Sequence, residues 1–225
     1  MRFDGVQIGV ADLDGAVEQY RVLLDTPGEA SEGGHRFALE RGAIELLRAQ
    51  PGLRSLRFVA EEEGVRWPAG PDAYHGLIVQ VGEASPSRAS ISPVAPHAID
   101  HVVVQSPDLD RAIALWRDRL GVRLALDREF PQRGLRLLFF RSGGMTLEFS
   151  GVLGAAAGDA SDTLWGIAYQ VADLAVCRTR LLDRGARVSE IRPGHKRGTV
   201  VATLKSHDLD VPTLLLQPAP EAQSG

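Results

Sequence analysis

The feature that most constrains the fold is an internal repeat. The segment FDGVQIGVADLDGAVEQYRVLL, which starts at Phe3, aligns with IDHVVVQSPDLDRAIALWRDRL, which starts at Ile99. A third, weaker copy starts at Leu164 with LWGIAYQVADLAVCRTRLLDRG, and a short fourth one starts at Leu53 with LRSLRFVAEEEG. Because each copy of such a repeat is one supersecondary unit that packs against its neighbours, the sequence predicts a chain built from four related modules.

Each clear copy predicts the order strand, helix, then three strands. A short apolar run predicts the first strand, and the aspartate that follows, Asp12 or Asp108, is a good helix N-cap because its carboxylate accepts the free N–H groups of the first turn. Gly121 is suited to a left-handed helix end, and Gly143 with Gly144 to a tight hairpin. The predicted fold class is therefore α+β, with tandem βαβββ modules.

Two segments of biased composition separate the modules. Residues 83–98 are rich in Pro and Ser, and residues 151–161 are rich in Gly and Ala. We predict an N-terminal domain at residues 1–82, a linker at 83–98, a C-terminal domain at 99–219 and a tail at 220–225. The module that starts at Leu53 is too short for a complete unit, so we expect it to be truncated to its first and last strands.

Composition excludes several classes of protein. The chain has 225 residues, of which 44% are hydrophobic and 24% charged, and its net charge of −4 gives it no overall positive charge that would attract nucleic acid or an anionic membrane. It has one cysteine, Cys177, and no run of about 18 apolar residues. We expect a cytoplasmic protein with a small-molecule partner and neither a nucleic acid nor a membrane partner. The oligomeric state is open, a homodimer included.

The repeat resembles a known superfamily. The pattern I-D-H-V-V-V…D-L-D-x-A-x-x-L-W…L-G, closed by T-L-E-F, is similar to that of the vicinal oxygen chelate superfamily, which contains glyoxalase I, bleomycin-resistance proteins, methylmalonyl-CoA epimerase and extradiol dioxygenases. This resemblance implies a glyoxalase-like fold in which paired modules curl into a cupped mixed sheet. It also implies four positions around a divalent metal, which are His101, Glu148, Gly166 and Leu215 in this sequence.

Strand alternation indicates which side chains share the concave face of the cup. Val102 and Val104 must lie on one face of their strand, so His101 and Gln105 lie on the other. In MTLEFS the apolar residues likewise leave Glu148 on the opposite face. The same parity selects further cup-facing residues, which are Gly166, Ala168, Gln170, Thr213, Leu215 and Gln217 in the last module and Gly5, Gln7, Gly9, Glu45, Ser55 and Gln80 in the N-terminal domain.

We select His101 and Glu148 as candidate catalytic and metal-ligating residues. The candidate substrate-binding residues are polar groups on or near the same face, namely Gln105, Gln170, Gln217 and Arg141. A second arginine near that hairpin, Arg136, is a weaker candidate. The five other histidines are expected at the surface, and they are His35, His75, His97, His195 and His207.

Two functions remain open. A metal-dependent lyase, isomerase or dioxygenase would use His101 and Glu148 to hold one divalent ion, Fe, Zn, Mn or Ni, that polarises a carbonyl group. A binding protein of the bleomycin-resistance type would sequester a small molecule without a metal. The presence of both His101 and Glu148 favours the enzyme, whereas Gly166 and Leu215 favour the binding protein, because neither can ligate a metal.

Overall fold

The computed structural model describes residues 1–60, 67–83, 92–155, 158–205 and 211–219. Within these residues the chain forms two mixed β-sheets with helices on one face of each. The strands of the first sheet are β1 (Arg2–Val10), β2 (Glu29–Ser31), β3 (Gly34–Ala38), β4 (Ala43–Arg48), β5 (Gly52–Val59) and β6 (Ile78–Gly82). The strands of the second are β7 (Ala98–Gln105), β8 (Arg123–Phe130), β9 (Leu135–Ser142), β10 (Met145–Val152), β11 (Thr163–Gln170), β12 (Arg192–Pro193), β13 (Val200–Leu204) and β14 (Thr213–Gln217).

Helices follow the first strand of three modules. They are α1 (Leu13–Leu24), α2 (Leu109–Ile113), which continues as a π-helical segment (Ala114–Arg119), and α3 (Leu174–Asp183). Each begins after a capping aspartate, because Asp12, Asp108 and Asp173 accept hydrogen bonds from backbone N–H groups three residues later. The predicted hairpin glycines, Gly143 and Gly144, have φ of 60° and 81°.

The sheet order shows how the modules are arranged. The first sheet has the order β2-β3-β4-β1-β5-β6 and the second β12-β13-β14-β11-β7-β10-β9-β8, so the first strands of paired modules lie side by side at the centre. Between β5 and β6 the described residues contain a 3-10 turn, Pro71–Tyr74, where the other modules have a helix and two strands. The predicted α+β fold with mixed sheets of βαβββ modules is confirmed.

The second sheet is strongly curved. The two edge strands of this sheet are β8 and β12. A cleft of about 420 Å³ is nevertheless lined by residues 129–133, which form the end of β8 and the turn after it, and by His195, which comes just after β12. Because elements at opposite edges line one cleft, the sheet curls into a cup. We call its concave face, which carries His101 and Glu148, the second cup, and the equivalent face of the first sheet, which carries Gln7 and Glu45, the first cup.

The helix-bearing faces of the two sheets share one hydrophobic core. Trp116, which follows α2, is fully buried, and its ring centroid lies 5.9 Å from that of Phe149 in its own sheet and 6.0 Å from that of Phe58 in the other sheet. On α3, Arg180 donates hydrogen bonds to the carbonyl groups of Val22 and Leu23 at the end of α1. The two cups therefore lie on the outer faces of the molecule. Among the described residues, no helix has both the length and the apolar character needed to cross a bilayer.

Candidate functional site

The second cup is organised in rows of residues that lie opposite each other on neighbouring strands. One row contains Arg123, Arg141, Thr146, His101, Ala168 and Leu214. The next contains Leu126, Phe139, Glu148, Val103 and Gly166. The first row is therefore mainly polar, and the second surrounds one carboxylate with apolar groups. His101 and Glu148 lie diagonally across adjacent strands, with 3.8 Å between Nε2 and Oε2.

A β-bulge adds Asp100 to this site. Across β7 and β11, His101 pairs with Ala168 while Ile99 pairs with Tyr169, so Asp100 is the extra residue of the bulge. Its Oδ2 lies 2.8 Å from Nδ1 of His101. Sequence reasoning missed Asp100, although a signal was available: Asp4 occupies the equivalent position of the repeat and also lies at a bulge in β1.

Asp100 fixes the orientation of the imidazole. Burial by itself raises the pKa of Asp100, but the hydrogen bond with His101 and the positive charges of Arg141 and Arg41 outweigh it, so the pKa is lowered overall. The carboxylate is therefore ionised at neutral pH and accepts the Nδ1–H of His101. The other ring nitrogen, Nε2, lies 3.8 Å from Oε2 of the Glu148 carboxylate.

The other predicted residues occupy different parts of the second cup. Gln105 is exposed on the same face, four residues along β7 from His101, or about 13 Å. Gln170 accepts a hydrogen bond from Nη2 of Arg41, which lies just before β4 of the first sheet. Arg141 is exposed and lies opposite Thr146, two strands from His101.

Arg136 lies on the opposite face from the second cup. It donates hydrogen bonds to Asp127, at 2.9 and 2.7 Å, and to Asp110 in α2, at 2.8 Å. These two carboxylates balance the charge of Arg136, and the three groups together link the sheet to the helix. Of the other histidines, His195 is exposed and His35, His75 and His97 are partly buried, while His207 lies outside the described residues.

The predicted positions of Leu215 and Gln217 are wrong. The pairing of β11 with β14 sets Ala168 opposite Leu214 and Tyr169 opposite Leu215, so Leu214 faces the cup and Leu215 is fully buried in the core. Gln217 lies on the helix side, where its Oε1 accepts a hydrogen bond from the Leu174 N–H at 2.8 Å. The run TLLLQ has no alternation of polar and apolar residues, so its parity could not be read from the sequence.

The donor set of the second cup does not fit a resident metal ion. After the register correction the four family positions hold His101, Glu148, Gly166 and Leu214, and only the first two can ligate. Asp100 is engaged with Nδ1 of His101. In the part of the chain that the structure describes, no group of three or more His, Cys, Asp or Glu side chains converges as a metal site. Protein sites for zinc and similar ions normally supply at least three ligands.

The first cup has the same architecture but is filled by its own side chains. Its Gly5 stands opposite Arg57, where the second cup has His101 opposite Ala168. Nη1 of Arg57 lies 3.5 Å from Oε2 of Glu45, which also accepts a hydrogen bond from Gln7 at 2.8 Å. Ser55 and Gln80 both donate to Oε1 of Gln7, at 2.7 and 2.9 Å. The first cup therefore has no histidine, and its carboxylate is already paired.

Comparison with known proteins agrees with this architecture. Residues 100–203 match the family described as Glyoxalase/Bleomycin resistance protein/Dioxygenase superfamily. The C-terminal half of the chain is therefore similar to this superfamily. This is the superfamily that the repeat and its motifs indicated.

The similar proteins include several epimerases. A curated relative, the ethylmalonyl-CoA/methylmalonyl-CoA epimerase of Cereibacter sphaeroides, is 28% identical over 97 residues, which cover 40% of this chain and 72% of that protein. The structure of methylmalonyl-CoA epimerase from Mycobacterium tuberculosis is 24% identical and covers 60% of this chain and 95% of its own, with a TM-score of 0.47. A Streptomyces coelicolor methylmalonyl-CoA epimerase in complex with 2-nitronate-propionyl-CoA is 23% identical and covers 54% and 96%, with a TM-score of 0.41.

Adding a third ligand is expected to create the metal site that the second cup lacks. Ala168 lies directly opposite His101, so Ala168→His places a second imidazole beside the first. We expect zinc affinity to rise at least ~100-fold over the parent protein, measured by competition with a chromophoric chelator. The same substitution combined with His101→Ala should give no such rise. A folded Ala168→His variant with the parent's affinity would show that these side chains do not converge.

Proposed function

We propose that the second cup is a proton-transfer site for a small carbonyl compound, and that the protein is an isomerase that works without a resident metal. The observation that carries this proposal is the Asp100–His101 hydrogen bond of 2.8 Å beside a carboxylate 3.8 Å from the other ring nitrogen. A histidine held in one tautomer by a carboxylate is a standard general base. The named activity of the Cereibacter sphaeroides relative, an epimerase, is a reaction of this type.

The proposed reaction begins with removal of a proton from the carbon next to a carbonyl group. Nε2 of His101 takes the proton, and Asp100 stabilises the imidazolium that forms because its carboxylate is ionised and hydrogen-bonded to Nδ1. The electron pair of the C–H bond moves to the carbonyl oxygen and gives an enolate. Protonation of the enolate carbon on its opposite face by a water molecule inverts that carbon, and Nε2 then returns its proton to the solvent, which completes the isomerisation.

The surroundings of His101 suit an acidic substrate with an apolar part. Arg141 lies in the same row as His101 and offers a guanidinium group to the enolate oxygen or to a substrate carboxylate. The neighbouring row offers apolar side chains, including Phe139 and Val103, for the hydrocarbon part.

Metal-free sequestration of a small molecule is the second candidate function. It is favoured by Gly166 and Leu214, which give the second cup an apolar floor where a metal-dependent enzyme of the family would carry ligands. On this alternative the Asp100–His101 pair only hydrogen-bonds the ligand. The two candidates predict different fates for the same bound compound.

Solvent exchange separates the two candidates. Protein treated with EDTA is incubated in D₂O with methylmalonyl-CoA or ethylmalonyl-CoA, the compounds in the relative's name, and deuterium at the α-carbon is followed by mass spectrometry. The isomerase predicts catalytic incorporation well above the rate without protein. Saturable binding with no incorporation would instead support sequestration. The absence of both deuterium incorporation and binding would contradict both functions for malonyl-type thioesters.

A further inference from the structure

A residue of the N-terminal domain is built into the edge of the second cup. The Arg41 backbone forms a parallel bridge with Ala98, and its carbonyl oxygen accepts a hydrogen bond from the Ile99 N–H at 3.1 Å. Arg41 precedes β4 of the first sheet, yet it extends the second sheet beside β7, near the turn that leads into β10. The N-terminal domain therefore contributes backbone to the sheet that carries His101.

The Arg41 side chain lies on the cup face of this sheet. Arg41, Ala98 and Gln170 form one row, and Nη2 of Arg41 donates a hydrogen bond to Oε1 of Gln170. The absence of a side chain at Gly144 gives the Arg41 side chain the space it needs, because a Cβ at position 144 would lie only 2.9 Å from Cδ of Arg41. A larger residue at position 144 would also be strained at its φ of +81°.

Arg41 and Arg141 both lie near Asp100, and both lower its pKa. Among the described residues, neither arginine has a carboxylate partner within 4.0 Å, and Nε of Arg41 is buried without a hydrogen-bond partner. Other partly buried arginines of the chain, such as Arg57 and Arg111, do have such partners. Apart from the hydrogen bond between Arg41 and Gln170, the two guanidinium groups on this face of the second cup are thus available to bind an anion.

We propose that Arg41 is a substrate-binding residue, and that with Arg141 it forms a two-arginine site for a carboxylate of the substrate. Guanidinium groups bind carboxylates through paired, charge-assisted hydrogen bonds, so the site selects acids over neutral analogues. This inference rests on the proposed location of the site and extends it to a substrate class, a carbonyl compound that carries a second, anionic group. It also gives the N-terminal domain a role, because the second cup is incomplete without residue 41.

The test compares malonate with its neutral analogue malonamide. Binding to the full-length protein is followed by NMR at the His101 imidazole and the Gln170 side-chain amide. We expect saturable malonate shifts at both groups and none with malonamide. Arg41→Gln should raise the malonate Kd at least ~10-fold, as expected for loss of a charged hydrogen-bond donor. Arg41→Lys should give an intermediate value.

The matched control is Arg48→Gln, because Arg48 is exposed at the far end of β4 and its guanidinium reaches the carbonyl of Ala11. This variant should bind malonate like the parent. Equal malonate affinity of Arg41→Gln and the parent, or saturation that leaves Gln170 unshifted, would overturn the proposal. If Arg41→Gln does not fold, the Gln170 shift in the parent protein decides the question.

The test of the anion site and the test of the proposed reaction can fail independently of each other. Deuterium incorporation that persists with no malonate preference would overturn the anion site and leave the isomerase standing. A malonate site that depends on Arg41 in a protein without incorporation would do the reverse. A negative result in one measurement therefore does not imply a negative result in the other.

Discussion

Replacing His101 by glutamine is expected to lower the rate of α-proton exchange by about 10²–10⁴-fold, because the variant keeps a polar side chain but loses the general base. The free energy of unfolding should change by less than about 1 kcal/mol, since the imidazole lines a cup and is not part of the packed core. Deuterium incorporation by mass spectrometry measures the first quantity, and urea denaturation the second.

Two further variants define what His101 does. His35→Gln changes a histidine of the N-terminal domain that contacts Phe37 and the Pro27 carbonyl, so it should leave exchange unaltered. Asp100→Asn should reduce exchange by less than the loss of His101 itself, because the base remains but its tautomer is no longer fixed. Unchanged exchange in His101→Gln together with a large loss of stability would make His101 a structural histidine.

Replacing Trp116 by alanine is expected to lower the free energy of unfolding by about 3–5 kcal/mol, the usual cost of removing a large buried aromatic side chain. Trp116 is fully buried between Phe58 of the first sheet, Phe149 of the second sheet and Tyr74 of the turn that precedes β6. The substitution should therefore destabilise both domains together. Urea denaturation followed by far-UV circular dichroism should show one transition at a lower midpoint.

Trp165→Ala is the matched control, because that side chain is 49% exposed. Its expected effect on stability is below about 1 kcal/mol. Two separate transitions in Trp116→Ala, with only one of them shifted, would mean that the domains have independent cores. The division into domains at residues 1–82 and 99–219 remains a prediction, and this experiment bears on it directly.

Local sequence signals were sufficient for most of the fold. The aspartate caps, the glycine hairpin and the alternation in IDHVVVQ each depend on neighbouring residues, and each is found in the structure. The same alternation brought His101 and Glu148 to one face. The sequence failed at β14, where three consecutive leucines carry no parity, and Leu214 and Leu215 exchanged faces.

The remaining site residues depend on tertiary structure. Asp100 enters the site through a bulge that shifts its strand by one residue, which alternation cannot anticipate. Arg41 reaches the second cup from the other domain, through a backbone bridge to Ala98. No local pattern around residue 41 indicates that contact, since it depends on how the two sheets are packed.

Duplication explains why only one cup offers a base. In the first cup Gly5 stands opposite Arg57, whose guanidinium pairs with Glu45, whereas in the second cup Ala168 stands opposite His101. In both cups a small residue thus faces a large polar residue. The small residue is on the first of the two central strands in the first cup and on the second of them in the second cup. The second cup thus carries a histidine held by Asp100 where the first cup carries a polar cluster that pairs with itself.

The dependence of turnover on metal content tests the central claim most directly. EDTA-treated protein is titrated with zero to one equivalent of Zn²⁺, Mn²⁺, Ni²⁺ or Fe²⁺, the metal bound is measured by plasma mass spectrometry, and α-proton exchange is measured on the same samples. A site that works through His101 and Asp100 without a metal predicts one exchange rate at every metal content. A rate that is absent without metal and rises in proportion to the metal bound would contradict it.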